Sequence, residues 1–157
     1  MKKHWKTYAA WIVGTEIVGA VAGLLTRSGT EIYKVSVEKP PLSPPAILFP
    51  IVWVLLYALM GFSAARVHLA PDSAARTRGL QLYLIQLAFN FFWSIIFFNM
   101  QAFGFAALWL LVLWGLILAM IMQFRRVDEL AGKLQIPYLI WVTFAGYLNI
   151  GVWLLNK

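Results

Sequence analysis

The stretch Gly79–Phe124, GLQLYLIQLAFNFFWSIIFFNMQAFGFAALWLLVLWGLILAMIMQF, decides the fold because it contains no charged side chain. As a single helix it would reach roughly 69 Å, about twice the hydrocarbon core of a bilayer. The chain must therefore turn back inside it. The only polar and flexible break is Asn99–Gln101, followed by Gly104. The stretch thus predicts two membrane-spanning helices, near residues 80–100 and 103–124.

Three further charge-poor stretches predict three more spans. Tyr8–Thr26 has Glu16 as its only charged residue, and Pro40–Ala65 and Leu134–Asn156 have none. Apolar runs of about 18 residues or more predict transmembrane helices. The sequence therefore predicts an all-α integral membrane protein, a five-transmembrane-helix bundle that forms one domain over residues 1–157. The expected helices are approximately 6–26, 46–68, 80–100, 103–124 and 134–155.

Composition agrees with a membrane protein and excludes other classes. The 157 residues are 62% hydrophobic and 12% charged, whereas soluble domains carry about 25% charged residues. The net charge of +7 comes from short basic clusters between apolar runs, which is the pattern of membrane flanks. We therefore expect a lipid bilayer, and no nucleic acid, as the partner.

The first apolar stretch has two interpretations. A basic start and the triplet Ala20–Ala22 are features of a secretory signal peptide. However, Glu16 interrupts the apolar run, which then continues past the triplet to Leu25. We expect a retained span.

The distribution of Lys and Arg predicts the orientation. One side has Lys2, Lys3, Lys6, Arg66, Arg76, Arg78, Arg125, Arg126 and Lys133. The other has Arg27, Lys34, Lys39 and Lys157. The richer side is expected to face the cytoplasm, together with the N-terminus. The loop over residues 27–45 is then external, and a bacterial cytoplasmic membrane is the expected location.

A proline-rich segment, EKPPLSPP, occupies Glu38–Pro45 and runs into Phe49, Pro50 and Trp53. Proline fixes φ and pushes the preceding residue toward extended geometry, so this entry to the second span is stiff. It is either a simple helix boundary or a rigid lid over the external mouth of the bundle.

Polar and aromatic residues recur at helical spacing inside the spans. Trp53 and Tyr57 are four residues apart, and two more sets share a face: Gln86, Asn90, Trp93 and Phe97, and Trp141, Ala145 and Asn149. Unpaired amides are costly against lipid, so these faces point inward. They either cross-link the helices or form a pocket with aromatic walls and a few amide donors for a flat apolar ligand.

Glu16 is the only acidic residue placed within a predicted span. An intramembrane carboxylate is a candidate site for a proton, a cation or a basic ligand. The alternative is a structural role, in which Glu16 reaches the interface or pairs with a nearby base.

Several chemistries are excluded by residue type. There is no cysteine, so disulfides, thiolate metal sites and cysteine nucleophiles are absent. His4 and His68 lie at span edges, which leaves no buried imidazole for a catalytic triad or a haem iron. We predict no metal site, no resident cofactor and no catalytic residues for hydrolysis or phosphoryl transfer.

Three ordered motifs on three helices resemble the TspO/MBR family, the tryptophan-rich sensory and translocator proteins. The motifs are Lys39-Pro40 with Pro44-Pro45, Phe49-Pro50 and Trp53; Asn90-Phe91-Phe92-Trp93; and Pro137–Ala145 with Leu148-Asn149. The resemblance covers essentially the whole chain. It implies a five-helix bundle, often a homodimer, that binds porphyrins such as protoporphyrin IX, sterols and synthetic benzodiazepine-type ligands.

Carried over by motif, the ligand-binding residues would be Trp53, Tyr57, Asn90, Trp93, Trp141, Ala145 and Leu148. Three features depart from the family pattern, the first of which is Leu42, where the family commonly has an aromatic residue. Ile32-Tyr33 stands where the family has a Trp-Tyr pair and is displaced by one residue, so Tyr33 is not predicted to contact a ligand. A proposed cholesterol motif requires a tyrosine followed by a basic residue; here Ile150 and Leu154 occupy those positions, which does not support sterol recognition by that motif.

Three functions follow from the resemblance. The first is a receptor-like protein that binds porphyrins in tetrapyrrole homeostasis or stress sensing. The second is an enzyme that degrades protoporphyrin IX photo-oxidatively, with Trp53 and Trp141 as the pair involved. The third is a porphyrin or sterol transporter, although five spans without an internal repeat lack the usual transporter architecture.

Overall fold

The computed structural model describes residues 4–157, and these form helices without a β-strand. The elements are α1 (Trp5–Leu25), α2 (Arg27–Ser36), α3 (Leu48–His68), α4 (Ala74–Ser94), a π-helix (Ile95–Asn99), α5 (Phe103–Val127), α6 (Glu129–Leu134) and α7 (Ile136–Asn156). Five segments are long and apolar enough to cross a membrane. The predicted five-helix membrane bundle is confirmed. Lys2 and Lys3 lie outside the described residues.

The turn within the charge-free stretch lies at the expected break. The π-helix ends at Asn99, and Gln101 has a positive φ of 50°, a conformation that few side chains adopt. The amide of Ala102 then donates to the carbonyl of Ile96, over 3.2 Å. This tight closure directs α5 back along α4, where Phe89 and Trp109 stack with ring centroids 4.4 Å apart.

The helix α4 begins at Ala74, earlier than the expected start near residue 80. Ser73 has extended backbone geometry, and its hydroxyl accepts a hydrogen bond from the amide of Arg76 over 3.1 Å. This N-cap satisfies one of the free amides of the first turn and starts the helix before its apolar part. A stretch without charged residues marks only the apolar part of a helix. The predicted start of this helix therefore fell after its polar first turn.

A close approach between backbones joins α1 to α3. A β-carbon placed on Gly61 would lie 2.5 Å from the α-carbon of Ile12, so only glycine permits this contact. At the same end of α3, Ser63 donates to the carbonyl of Ala131 over 2.8 Å, and Arg66 pairs with Asp128 over 2.7 Å. These contacts tie α3 to α1 and α6.

The segment between α1 and α3 is more ordered than the sequence analysis expected. Its first part is the helix α2, and a β-carbon on Gly29 would lie 2.4 Å from the carbonyl oxygen of Phe98. The loop after α2 is held by α7: Asn156 exchanges two hydrogen bonds with the backbone of Glu38, at 3.0 and 2.8 Å. This arrangement carries α2 across one end of the bundle.

Candidate ligand-binding site

A cavity of about 460 Å³ lies among α1, α2, α3, the end of α4, the π-helix and α7. Its volume falls in the range of roughly 300–1,000 Å³ that is typical of small-molecule sites. Aromatic and small apolar side chains form nearly all of its lining, and Glu16 is the only lining residue with a charge. The cavity therefore suits a hydrophobic molecule.

Six of the seven residues predicted to bind a ligand line this cavity. They are Trp53, Tyr57, Trp93, Trp141, Ala145 and Leu148. The seventh, Asn90, does not line it. Asn90 is 2% exposed and lies in the layer behind Tyr57.

The walls of the cavity are built around Trp53. Its ring stacks on that of Tyr57, with centroids 5.4 Å apart and an interplanar angle of 29°. Trp141 meets Trp53 at 90°, with centroids 6.4 Å apart. Phe49 in turn lies 5.9 Å from Trp141. Residues four apart on α3 share a face, which explains the Trp53–Tyr57 pair, while the perpendicular partner comes from α7.

A chain of hydrogen bonds fixes Tyr57 from behind. Its hydroxyl donates to Oδ1 of Asn90 over 3.1 Å, and Nδ2 of Asn90 donates to the hydroxyl of Tyr138 over 2.7 Å. Tyr138 donates to Oε1 of Gln86, also over 2.7 Å. All four residues are buried, so the chain supports the cavity wall.

The amides of Asn90 and Asn149 cross-link helices, which is one of the two roles that their spacing allowed. Asn149 lines the cavity, but its Oδ1 accepts from Nε1 of Trp93 over 3.0 Å and its Nδ2 donates to the carbonyl of Phe103 over 2.8 Å. Asn90 is engaged as described above. Unpaired amides are costly at this depth, and both find partners in the protein. These two amides orient aromatic side chains rather than supply a polar lining.

Tyr33 also lines the cavity, although its displaced position gave no prediction of a ligand contact. The side chain of Tyr33 is buried, and Nζ of Lys39 lies 4.8 Å from the centroid of its ring. Burial raises the pKa of the Tyr33 phenol, so it remains a neutral hydroxyl. The buried positions Gly29, Tyr33 and Val37 are spaced four residues apart. That helical spacing was the sequence signal for this contact.

The proline-rich segment Glu38–Pro45 holds α2 over the end of the cavity, and none of its residues lines the cavity. We call α2 and this segment the cap. Pro40 is buried against Gly151, where a β-carbon would lie 2.6 Å from its ring. Tyr147 donates to the carbonyl of Pro41 over 2.6 Å. The segment therefore fastens the end of α2 to α7, and Tyr33 is the α2 side chain that faces the cavity. Leu42, between the prolines, is 81% exposed.

The cavity wall is incomplete between α1 and α3. Ala20, Gly23, Pro50 and Val54 line the cavity and are also exposed, Val54 by 56%. The first two belong to the second half of α1, and the others to the first half of α3. Because both segments are membrane-spanning helices, this side of the cavity faces the level of the lipid chains.

Comparison with known proteins assigns the family. The profile of the TspO/MBR family matches residues 11–154. The chain belongs to the TspO/MBR family.

Relatives in the TspO/MBR family align over nearly their full length. Protein CrtK of Rhodobacter capsulatus is 38% identical over 150 residues, which cover 95% of this chain and 92% of that protein. Tryptophan-rich protein TspO of Chlorobaculum tepidum is 35% identical over 157 residues, covering 99% of each. Translocator protein of Bos taurus is 33% identical over 155 residues, covering 94% and 92%. The family assignment therefore extends over all five spans.

Proposed function

We propose that this protein is a membrane receptor that binds porphyrins such as protoporphyrin IX, and related flat hydrophobic molecules, in the cavity around Trp53. Its role would lie in tetrapyrrole homeostasis or stress sensing. The observation that carries the proposal is the perpendicular pair of Trp53 and Trp141 in the wall of an apolar cavity. A flat ring can stack on one indole and meet the edge of the other, and aromatic pairs favour both geometries.

The opening between α1 and α3 supports a ligand that partitions into lipid. Porphyrins with few charged groups concentrate in bilayers, and exposed Pro50 and Val54 give them an apolar edge to cross. The hydrogen-bonded support behind Tyr57 keeps one wall rigid before a ligand arrives. A rigid wall lowers the ordering cost of binding.

Titration of the purified protein with protoporphyrin IX in neutral detergent tests the proposal. We expect quenching of tryptophan fluorescence and a shift of the porphyrin absorption band, both saturating. Trp53→Phe and Trp141→Phe should each weaken the affinity about tenfold, since stacking on an indole contributes about 1 kcal/mol or more.

Trp5→Phe is the matched control, because Trp5 is 60% exposed and does not line the cavity. It should bind like the wild type in the absorption assay. If Trp53→Phe and Trp141→Phe also bind like the wild type, the assigned site is wrong.

Photo-oxidative degradation of protoporphyrin IX is a second candidate function. It is favoured by two oxidisable indoles whose centroids lie 6.4 Å apart in the cavity wall. Illumination in the presence of O₂, the oxidant, should then consume several equivalents of porphyrin per protein, and Trp53→Phe or Trp141→Phe should abolish the excess. Bleaching equal to that in protein-free detergent would exclude this activity.

A further inference from the structure

Glu16, on α1, is partly buried and lines the wall of the cavity. It lies nine positions before Leu25, the last residue of α1, which corresponds to about 14 Å along the helix axis. The lining residues from the other elements are aromatic, aliphatic or uncharged polar. The lining of the cavity therefore contains a single carboxyl group.

No side chain of residues 4–157 neutralises this carboxylate. Glu16 takes part in none of the hydrogen bonds or ion pairs found among these residues. Two buried phenols lie in this part of the bundle, those of Tyr57 and Tyr83. Tyr57 donates to Asn90, and Tyr83 is hydrogen-bonded to Thr15. A carboxylate at membrane depth without a partner is costly, and such groups mark ligand or ion sites.

Aromatic side chains share the cavity wall with Glu16. Gly19 follows one turn later on α1, and its missing side chain admits the ring of Tyr57, because a β-carbon there would lie 2.2 Å from Cε2 of that ring. Tyr57 stacks on Trp53, which meets Trp141 edge to face. Aromatic rings attract cations through their faces, and several rings around one carboxylate recognise protonated or quaternary amines.

We propose that Glu16 makes the cavity selective for flat aromatic ligands that carry a protonated amine, which would lie against the carboxylate while the ring system stacks on Trp53 and Trp141. This inference rests on the proposed function, since it specifies which members of the class of flat hydrophobic ligands bind best. It also restricts the orientation of acidic ligands. A porphyrin would have to turn its carboxylates away from Glu16, toward the end of the cavity where Lys39 covers Tyr33.

Three probes of nearly the same size and different charge test the inference. At neutral pH, 9-aminoacridine is a cation, acridine is neutral and 9-anthracenecarboxylate is an anion. Their affinities would be measured by fluorescence with the protein in nanodiscs of zwitterionic lipid. We expect the wild type to bind 9-aminoacridine at least tenfold more tightly than acridine, and the anion most weakly.

Variants of Glu16 test whether the charge or the shape of this side chain determines the preference for the cationic probe. Glu16→Gln should reduce the affinity for 9-aminoacridine to that for acridine and leave acridine binding unchanged, which also shows that the variant is folded. Glu16→Asp, which retains the charge, should retain most of the preference. The matched control is Glu31→Gln, because Glu31 is exposed on α2 and pairs only with Lys34; it should behave like the wild type.

The outcomes distinguish this inference from the proposed function. If acridine binding depends on Trp53 but the wild type shows no charge preference, or if Glu16→Gln keeps that preference, the selectivity is refuted and the binding cavity stands. If none of the probes binds and Trp53→Phe leaves the porphyrin titration unchanged, both the proposed binding site and its selectivity for protonated amines are refuted.

Discussion

At the scale of single residues, the buried amides act on the cavity through the tyrosines that they hold. Asn90 accepts from Tyr57, whose ring lines the cavity, and donates to Tyr138 on α7. Both hydroxyls are buried deep in the bundle, where each hydrogen bond lost leaves a polar atom without water to replace the partner. Asn90 is thus a positioning residue for the wall.

Asn90→Ala is expected to destabilise the protein and weaken ligand binding together. The buried Tyr57 hydroxyl loses its acceptor and the Tyr138 hydroxyl loses a donor, at a cost of about 1–2 kcal/mol, and Tyr57 becomes free to rotate. The melting temperature in detergent should fall, and the affinity for protoporphyrin IX should drop several-fold. Asn99→Ala is the control, since Asn99 is exposed and bonds only to the carbonyl of Leu25. An unchanged titration in Asn90→Ala would show that Tyr57 does not need this support.

At the scale of helices, the close contact of α1 with α3 determines where the cavity can form. Gly61 lets the backbone of α3 approach Ile12, while Gly19 admits Tyr57 nearer the cavity. Glycine is therefore needed at these two positions for steric reasons. The spacing of Gly19 with Gly23, and of Gly115 with Ala119, is typical of motifs that bring two membrane helices into contact. The Gly19 face of α1 is already in contact with Tyr57, on α3 of the same chain.

Gly61→Ala tests this packing. Its methyl group would overlap the backbone of α1, and overpacking of this kind costs about 1–3 kcal/mol. A lower melting temperature is expected, together with weaker porphyrin binding as α1 moves away from α3. Gly115→Ala is the matched control because a β-carbon there meets no atom within 4 Å. Equal melting temperatures for the two variants would refute the close contact.

The cap over the cavity depends on the end of α7. Asn156 binds both backbone groups of Glu38, so Asn156→Ala should release the loop after α2. Hydrogen exchange at the Glu38 amide is expected to accelerate, and porphyrin should dissociate several-fold faster. Lys157→Ala, which changes the exposed neighbouring residue, should alter neither rate. A protected Glu38 amide in Asn156→Ala would mean that other contacts hold the cap.

At the scale of the whole molecule, the predicted orientation can be measured directly because the chain lacks cysteine. Ser36 and Ala74 are exposed residues at opposite ends of the bundle. In intact cells, a membrane-impermeant maleimide should label Ser36→Cys and should label Ala74→Cys only after lysis. The positive-inside rule gives this direction. The reverse pattern would place the N-terminus outside.

Much of the site was predictable because it rests on helical spacing. Trp53 and Tyr57 on α3, and Trp141, Ala145 and Leu148 on α7, lie on inward faces that a 3.6-residue repeat identifies. Asn90 was assigned to the same inner surface, but periodicity gives a side chain's direction and not its depth behind a neighbour. Tyr33 was set aside because of its displaced motif position, and because α2 is short and polar in composition and was not predicted as a helix.

Sequence alone determined the number of spans, their order and their inward faces, because the thickness of the bilayer and the cost of unpaired polar groups constrain any chain of this composition. Tertiary structure alone decided which rings meet across helices, that Asn90 and Asn149 are hydrogen-bonded to other helices, and that Glu16 lines a cavity without an ion-pair partner. Those outcomes depend on contacts between helices distant in sequence. Such contacts are set by glycine-permitted approaches and by the turn at Gln101, and no local pattern encodes them.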